Sequence, residues 1–305
     1  MTSNCSTNTK QIGEIEIPVP WGYVAAKTWG KESDPLILCL HGIMDNAGSF
    51  DKLIPLLPSS YYYVCIDLPG HGRSSQFPPH LPLQTINFLL VYKEASRYFK
   101  RKFIIMGHSY GGKLGFFYAQ MYPEFVDKLI LLESTNFYPV SSDNYIKYLN
   151  DKTNSYFKIN DILKSKKPPK YTLEEALDRV QNNRSFKPVE RDVAEALLAR
   201  AIEPVGARVK FTLDQRIKNF IDPLRDHRYM RDCTEACPIK CPALIILGKE
   251  STHHKKIMGP FIKLLEAWKN VVLVVVEGGH DVHNEYPERI AFYINKFLLK
   301  NIAKL

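Results

Sequence analysis

The stretch KFIIMGHSYGGKLGFFYAQMY, residues 102–122, decides the fold. Its first part, Phe103-Ile104-Ile105-Met106, is a continuous apolar run of the kind that forms a strand buried on both faces. Its last part reads as an apolar helix seeded with small residues. Between them stands Gly107-His108-Ser109-Tyr110-Gly111, a G-x-S-x-G whose serine falls at the strand-to-helix turn. Such a turn strains the backbone and lifts the serine oxygen above the sheet edge, which makes it a nucleophile elbow. A side chain at 107 or 111 would collide with neighbouring backbone. A bare G-x-S-x-G arises easily by chance, whereas one between a buried strand and a glycine-rich helix seldom does.

Working outward, strands and helices alternate. Residues 14–19 and 23–29 read as an antiparallel hairpin about Pro20-Trp21-Gly22. Leu36–Leu40 is a continuous apolar strand that ends in His41-Gly42-Ile43-Met44-Asp45-Asn46. Tyr62–Ile66 is the next strand, residues 83–99 repeat apolar positions at helical spacing, and Val126–Leu132 is a strand that ends at Glu133. This alternation predicts an α/β class with a mostly parallel sheet and helices on both faces. It stops over 136–240, where Thr172-x-x-Glu175 is a capping box and Pro188 can open a second amphipathic helix. That segment is expected to be a mostly helical insertion. The strand pattern then resumes at 242–248 and 271–276, and residues 286–299 read as the last amphipathic helix. The expected organisation is a core of residues 1–135 and 241–305 with a helical cap at 136–240.

Composition narrows the classes. The chain has 305 residues, 45% hydrophobic and 24% charged, with a formal net charge of +9, ordinary for a globular protein apart from its basic balance. Basic residues are scattered among acidic ones, with no aromatic-interleaved run of the kind a nucleic-acid groove needs. No apolar run is long enough to span a bilayer, and the first twenty residues lack a signal-peptide core. Of six cysteines, Cys39 and Cys65 lie in apolar strands, and Cys233, Cys237 and Cys241 do not have zinc-site spacing; reduced thiols in an intracellular protein are expected. The ending Ala303-Lys304-Leu305 is like the S-K-L peroxisomal address, which implies an import receptor as partner; a cytoplasmic location is the alternative.

A serine hydroxyl is a poor nucleophile until a base takes its proton and an acid orients that base. Loops at the carboxyl ends of the strands are the only places from which such groups can meet Ser109. Among nine histidines, that filter leaves His41, His108 and His280. His41 and His108 belong to the loop and elbow around the serine, where with Gly42 they are expected to face substrate. His280 follows the last strand and satisfies the serine–acid–histidine order, so it is the expected base, with His283 as fallback. Glu133 and Glu250 both end strands on the correct edge and are open as the acid. Backbone N–H groups of Tyr110 and Ile43 are expected to form the oxyanion hole. No metal or cofactor is called for, and the side chains of His253-His254 diverge.

These residues resemble the α/β-hydrolase superfamily over essentially the whole chain, and more narrowly the serine hydrolase-like proteins of the Kraken type. The carriers are Leu40-His41-Gly42-x-x-Asp45-Asn46-Ala47, Asp67-x-Pro69-Gly70-His71-Gly72-x-Ser74-Ser75, the elbow itself, and Gly279-His280-x-x-His283-x-x-x-Pro287. The resemblance implies an eight-stranded hydrolase sheet, Ser109 as nucleophile, His280 as base and the 136–240 insertion as a lid-like cap. It also agrees with a peroxisomal or vesicular location. One departure matters: the family's usual aspartate after the post-cap strand falls here on Ser251. Haloalkane dehalogenases of this fold take their acid from the strand before the cap, and Glu133 matches that place. A serine nucleophile implies attack on an acyl carbon, hence a serine esterase acting on a carboxylic ester or acyl thioester. The alternative is a hydrolase-fold binding protein with a degraded triad.

Overall fold

The computed structural model describes residues 10–79, 82–135, 140–165, 167–222 and 226–299. Ala303-Lys304-Leu305 lies outside the described residues. In chain order the strands are β1 (Ile12–Val19), β2 (Gly22–Trp29), β3 (Leu36–Leu40), β4 (Tyr62–Ile66), β5 (Phe103–His108), β6 (Val126–Leu132), β7 (Ile202–Val205), β8 (Arg208–Phe211), β9 (Ala243–Gly248) and β10 (Val271–Val276). Eight of them form one sheet in the order β1-β2-β4-β3-β5-β6-β9-β10, and β7 and β8 form a separate hairpin. β2 pairs antiparallel with β1 and β4; the remaining neighbours are parallel. The sheet therefore has the mostly parallel, eight-stranded form expected of the hydrolase pattern.

β3, β4 and β5 are buried at every position, which explains why they read as unbroken apolar runs rather than alternating ones. Alternate residues feed two clusters, one on each face. Leu38, Val64, Ile105 and Leu129 meet α1 (Thr85–Phe99) and α2 (Ser109–Met121) on one side. Cys39, Cys65, Met106 and Ile130 meet Phe50 and the last helix on the other. Lys100 at the end of α1 adopts φ 51° and closes that helix with a left-handed residue.

Between β6 and β9 the chain leaves the sheet. α3 (Tyr145–Ser165), α4 (Leu173–Asn182) and α5 (Arg191–Ala201) are followed by the β7–β8 hairpin and α6 (His227–Ala236). The capping box forms as the sequence reads: the Thr172 hydroxyl accepts from Glu175 N–H at 3.2 Å, and the Glu175 carboxylate accepts from Thr172 N–H at 2.7 Å. α4 and α5 bury Ala176, Leu177, Val193, Ala194 and Leu197 against each other in a cluster of their own. The hairpin is a finding that helical periodicity does not show. Its strands are four residues each and Pro204 sits inside one; Gly206, at φ 65°, makes the turn. Met230 of α6 and Ile239 join the core cluster, so the chain returns to the core before residue 240. α7 (Thr252–Glu266), α8 (Val282–Glu285) and α9 (Glu288–Leu299) complete the fold. Among the described residues, no helix is long and apolar enough to cross a membrane.

Candidate active site

Ser109 is the first residue of α2 and has φ 48°. That left-handed conformation is uncommon for a residue with a Cβ and marks a strained position. Its neighbours permit it. A Cβ on Gly107 would lie 2.5 Å from Gly112, and one on Gly111 would strike the Leu40 carbonyl. The Ser134 hydroxyl donates to the Ser109 carbonyl at 2.7 Å and braces the turn from the β6 side.

His280, in the loop between β10 and α8, places Nε2 at 3.0 Å from Ser109 Oγ. Residues 171 positions apart in sequence are thus in hydrogen-bond contact. Two neighbours hold the imidazole loop. His108 Nε2 donates to the His280 carbonyl at 3.0 Å, and the Phe186 ring stacks on the His280 ring at 3.9 Å with 16° between planes. His108 itself is fully buried, which pushes its pKa down to about 4, and the nearby His280 adds to the effect. His108 is therefore a neutral donor at neutral pH.

The other sequence candidates occupy distinct places. Glu133 is buried with φ 51°; its carboxylate accepts from Gly248 N–H, and its own N–H donates to the Ile246 carbonyl at 2.8 Å. It stitches the carboxyl ends of β6 and β9 together beside the elbow. Glu250 has a side chain 60% exposed, 3.8 Å from Lys187 Nζ. His41 is buried, with Nε2 accepting from Leu68 N–H at 2.9 Å and Nδ1 donating to the Gly42 carbonyl at 2.7 Å. It shapes the loop below the site, whereas Gly42 and His108 line the cavity that contains Ser109. His283 is buried, stacked on His108 at 3.8 Å, with Nε2 at 3.3 Å from Ser49 Oγ.

Tyr110 is the second residue of α2, so its N–H lies at the positive end of that helix, next to Ser109. In the facing loop, Met44 N–H is engaged by His71 Nε2 at 3.1 Å and Asp45 N–H by the Gly42 carbonyl at 3.1 Å. Ile43, between Gly42 and those two, lines the cavity beside Ser109.

Three neighbours of His280, namely Asp281, Arg184 and Phe186, are not singled out by the sequence. Among the described residues, Nδ1 of His280 has no hydrogen-bond acceptor. Asp281 Oδ1 lies 3.9 Å from it, a charge contact too long for a hydrogen bond. Burial would raise the Asp281 pKa, but His280 and the Arg184 guanidinium override it and hold this carboxylate well below the usual range. Arg184 Nη2 donates to Asp281 Oδ1 at 2.7 Å while Nη1 donates to Asp45 Oδ1 at 2.9 Å. One side chain from the insertion thus ties the loop after β3 to the loop that carries His280. Asp281 could have been noticed as the acid next to the base; nothing in the sequence singles out Arg184 or Phe186, because they approach through tertiary packing alone.

His108, His280 and Asp281 lie close enough together to resemble a metal set. Their chemistry argues otherwise. His108 Nε2 and Asp281 Oδ1 are already engaged, and Arg184 puts a positive charge against the carboxylate a cation would need.

Comparison with known proteins identifies the family. A model of the alpha/beta hydrolase fold matches residues 35–285. The chain belongs to the α/β-hydrolase family. The serine hydrolase-like protein of Mus musculus is 32% identical to this hydrolase-family chain over 301 residues, covering 93% of it and 95% of the mouse protein. Serine hydrolase-like protein 2 of Homo sapiens is 33% identical, covering 94% of each. These relatives place the chain among the serine hydrolase-like proteins of the family. A hypothetical protein of Pseudomonas aeruginosa has the same fold, with a TM-score of 0.80 at 24% identity over 94% of this chain and 99% of that one. A thioesterase domain from the curacin biosynthetic pathway matches with a TM-score of 0.74 at 21% identity, over 93% of this α/β-hydrolase and 99% of the domain.

Proposed function

We propose that this protein is a serine hydrolase that cleaves a carboxylic ester or acyl thioester through an acyl-enzyme on Ser109. The observation that carries the reading is the 3.0 Å approach of His280 Nε2 to Ser109 Oγ, the contact a general base needs to take the hydroxyl proton. Ser109 Oγ attacks the acyl carbon and His280 accepts its proton. The oxyanion forms against the Tyr110 and Ile43 N–H groups. His280 then gives the proton to the departing alcohol or thiol, the acyl group stays on Ser109, and a water activated by the same imidazole releases the acid. The 136–240 insertion acts as the cap over this chemistry, and Gly42 and His108 border the substrate.

Two buried carboxylates are candidates to support the imidazolium. Glu133 ends β6 beside the elbow, and Asp281 holds its charge 3.9 Å from Nδ1. A solvated carboxylate such as Glu250 stabilises the imidazolium far less, because water screens it. We take Glu133 as the acid and Asp281 as an added negative charge. Glu133→Gln then lowers kcat by orders of magnitude, and Asp281→Asn lowers it less; the reverse order would exchange the two roles.

A fluorophosphonate probe tests the nucleophile: it labels the native protein and not Ser109→Ala. Failure to label, or equal labelling of the variant, would remove the acyl-enzyme reading and favour a hydrolase-fold binding protein, which the missing acceptor at His280 Nδ1 would then explain. The Ala303-Lys304-Leu305 ending supports peroxisomal delivery; deleting these residues abolishes import of a tagged chain, and unchanged location would refute it.

A further inference from the structure

The cavity above Ser109 is large, and its charge is uneven. Its volume is about 1410 Å³, beyond the roughly 300–1,000 Å³ of ordinary small-molecule pockets. Part of its wall is apolar, with Ile43, Met44, Phe77, Leu163 and Leu213. That wall suits an acyl chain. The remainder is basic: nine lysine and arginine side chains line the cavity against three carboxylates.

Ion pairing separates those cations into two sets. The deep arginines are consumed by structure. Arg184 is held by Asp45 and Asp281, Arg200 by Asp67 and Glu14, and Arg216 by Asp214 at 2.6 Å. Lys210 is paired with Glu203 at 2.5 Å and Arg73 with Glu14 at 3.3 Å, while the Arg179 guanidinium lies over the Tyr171 ring at 4.6 Å. Lys164 at the end of α3, Lys167 in the loop beyond it and Lys218 in the turn Gln215–Asn219 differ. They are exposed at the cavity and form no ion pair among the described residues. Three ammonium groups without an ion pair on the wall of one cavity create a local positive potential that attracts an anion and speeds its arrival.

We propose that the substrate carries an anionic group remote from the scissile bond, held by Lys164, Lys167 and Lys218 while its acyl part lies on the apolar wall over Ser109. This inference rests on the serine-hydrolase reading for its reacting centre, although the anion site stands on the cavity alone. The shared chemistry is a phosphate or carboxylate at one end of an otherwise apolar ester or thioester. The charge can sit on the leaving group, as in a thioester of a phosphorylated thiol, or on the acyl group, as in a dicarboxylic monoester.

Matched substrates distinguish these arms. For one medium-chain acyl group, kcat/KM is compared between the coenzyme A thioester and the neutral N-acetylcysteamine thioester, and between a dicarboxylic monoester and its monocarboxylic counterpart. At least one anionic member of a pair is preferred by about tenfold or more at low salt, and the preference shrinks as ionic strength rises. In the triple variant Lys164→Glu, Lys167→Glu, Lys218→Glu, the ratio of anionic to neutral kcat/KM falls by about tenfold. Equal kcat/KM within both pairs, or a ratio unmoved by charge reversal, overturns the proposal.

A binding measurement keeps it separate from turnover. Ser109→Ala should bind a non-hydrolysable coenzyme A thioether, or the intact dicarboxylic monoester, with salt-dependent affinity that the three lysine reversals weaken. No binding of either, or salt-independent binding, counts against the anion site even if neutral esters are hydrolysed. Salt-dependent binding without hydrolysis of any ester supports the site and sinks the hydrolase reading instead.

Discussion

Two arginines, Arg200 buried and Arg184 half-buried, fasten the insertion to the core, and they do different work. Arg200 at the end of α5 lies 3% exposed, with Nη2 at 2.8 Å from Asp67 and Nη1 at 2.5 Å from Glu14. Arg184, after α4, reaches Asp45 and Asp281, the loops proposed to carry an oxyanion donor and the base. Asp67 has further fixed partners, the Ala47 N–H at 2.7 Å and the Arg73 N–H at 2.9 Å. The Arg200 bridge is therefore part of a rigid hub at the end of β4. The Arg184 bridge joins the loop after β3 to the loop that carries His280, two segments that also meet where His283 Nε2 lies 3.3 Å from Ser49 Oγ. Buried ion pairs stabilise little over a well-packed apolar substitute, but removing one partner leaves a costly bare charge. The comparison thus assigns stability to Arg200 and catalytic alignment to Arg184.

Acid is the broadest way to strain both. Burial pushes His41 and His108 down to about 4 and His71 to about 3, from an ordinary value near 6.5. His41 faces Asp45, His108 and Arg200; His71 faces His41, Asp67 and Asp45; His108 faces His280, Asp281 and Asp45. The folded pKa values lie below the unfolded one, so the unfolded chain binds more protons in the interval between them. The stability these histidines contribute is whole above pH 6.5 and is lost as pH falls toward 4. Asp281 acts in a lower window, because its carboxylate is ionised well below the usual range. The unfolding free energy read from urea titrations should therefore fall steadily between pH 7 and pH 4.5, by an amount on the order of several kcal/mol. A flat midpoint across that range would mean that these imidazoles are hydrated rather than buried.

Removing each arginine separates the two roles. Arg200→Ala exposes the Asp67 charge without its cation and costs about 3–5 kcal/mol of folding free energy, read from denaturant midpoints. The shape of the pH–rate profile should be retained in whatever fraction remains folded. A loss under about 1 kcal/mol would place Arg200 among solvated surface pairs. Arg184→Ala is expected to lower kcat about tenfold or more, equivalent to about 1.4 kcal/mol. It also has a signature that a purely structural role lacks: kcat falls while KM and the denaturant midpoint change little, because the substrate wall and the core stay intact and only the alignment of the base is lost. A midpoint that drops in step with kcat would reassign Arg184 to simple anchoring.

The same contrast explains what could be read from sequence. The sheet was legible because β3, β4 and β5 are continuous apolar runs, and the elbow because Gly107 and Gly111 answer to sterics at fixed offsets from Ser109. His280 followed from strand order alone. Arg184 and Phe186 were not legible, since α4 and α5 announce an apolar face but not the direction in which the turn between them points. The β7–β8 hairpin was hidden for a related reason: four-residue strands are too short for an alternation to emerge from helical flanks. Local pattern encodes local structure; the position of an insertion over a site is encoded in contacts between distant residues.

Phe186 is the smallest test of the comparison and the most selective. It stands two residues after Arg184, is half exposed, and stacks on His280 at 3.9 Å. In the proposed mechanism this imidazole becomes cationic when Ser109 is deprotonated, and an aromatic face against it supports that state as well as the ring's orientation. Phe186→Ala should cost about 0.5–1.5 kcal/mol in kcat/KM with little change in denaturant midpoint, because the ring buries little core area. Phe186→Tyr keeps the aromatic face and restores most of the rate, whereas Phe186→Leu keeps bulk without the π-face and restores less. If leucine rescues as well as tyrosine, the ring is only a wall of the cavity, and alignment of the base rests on Arg184 and His108 alone.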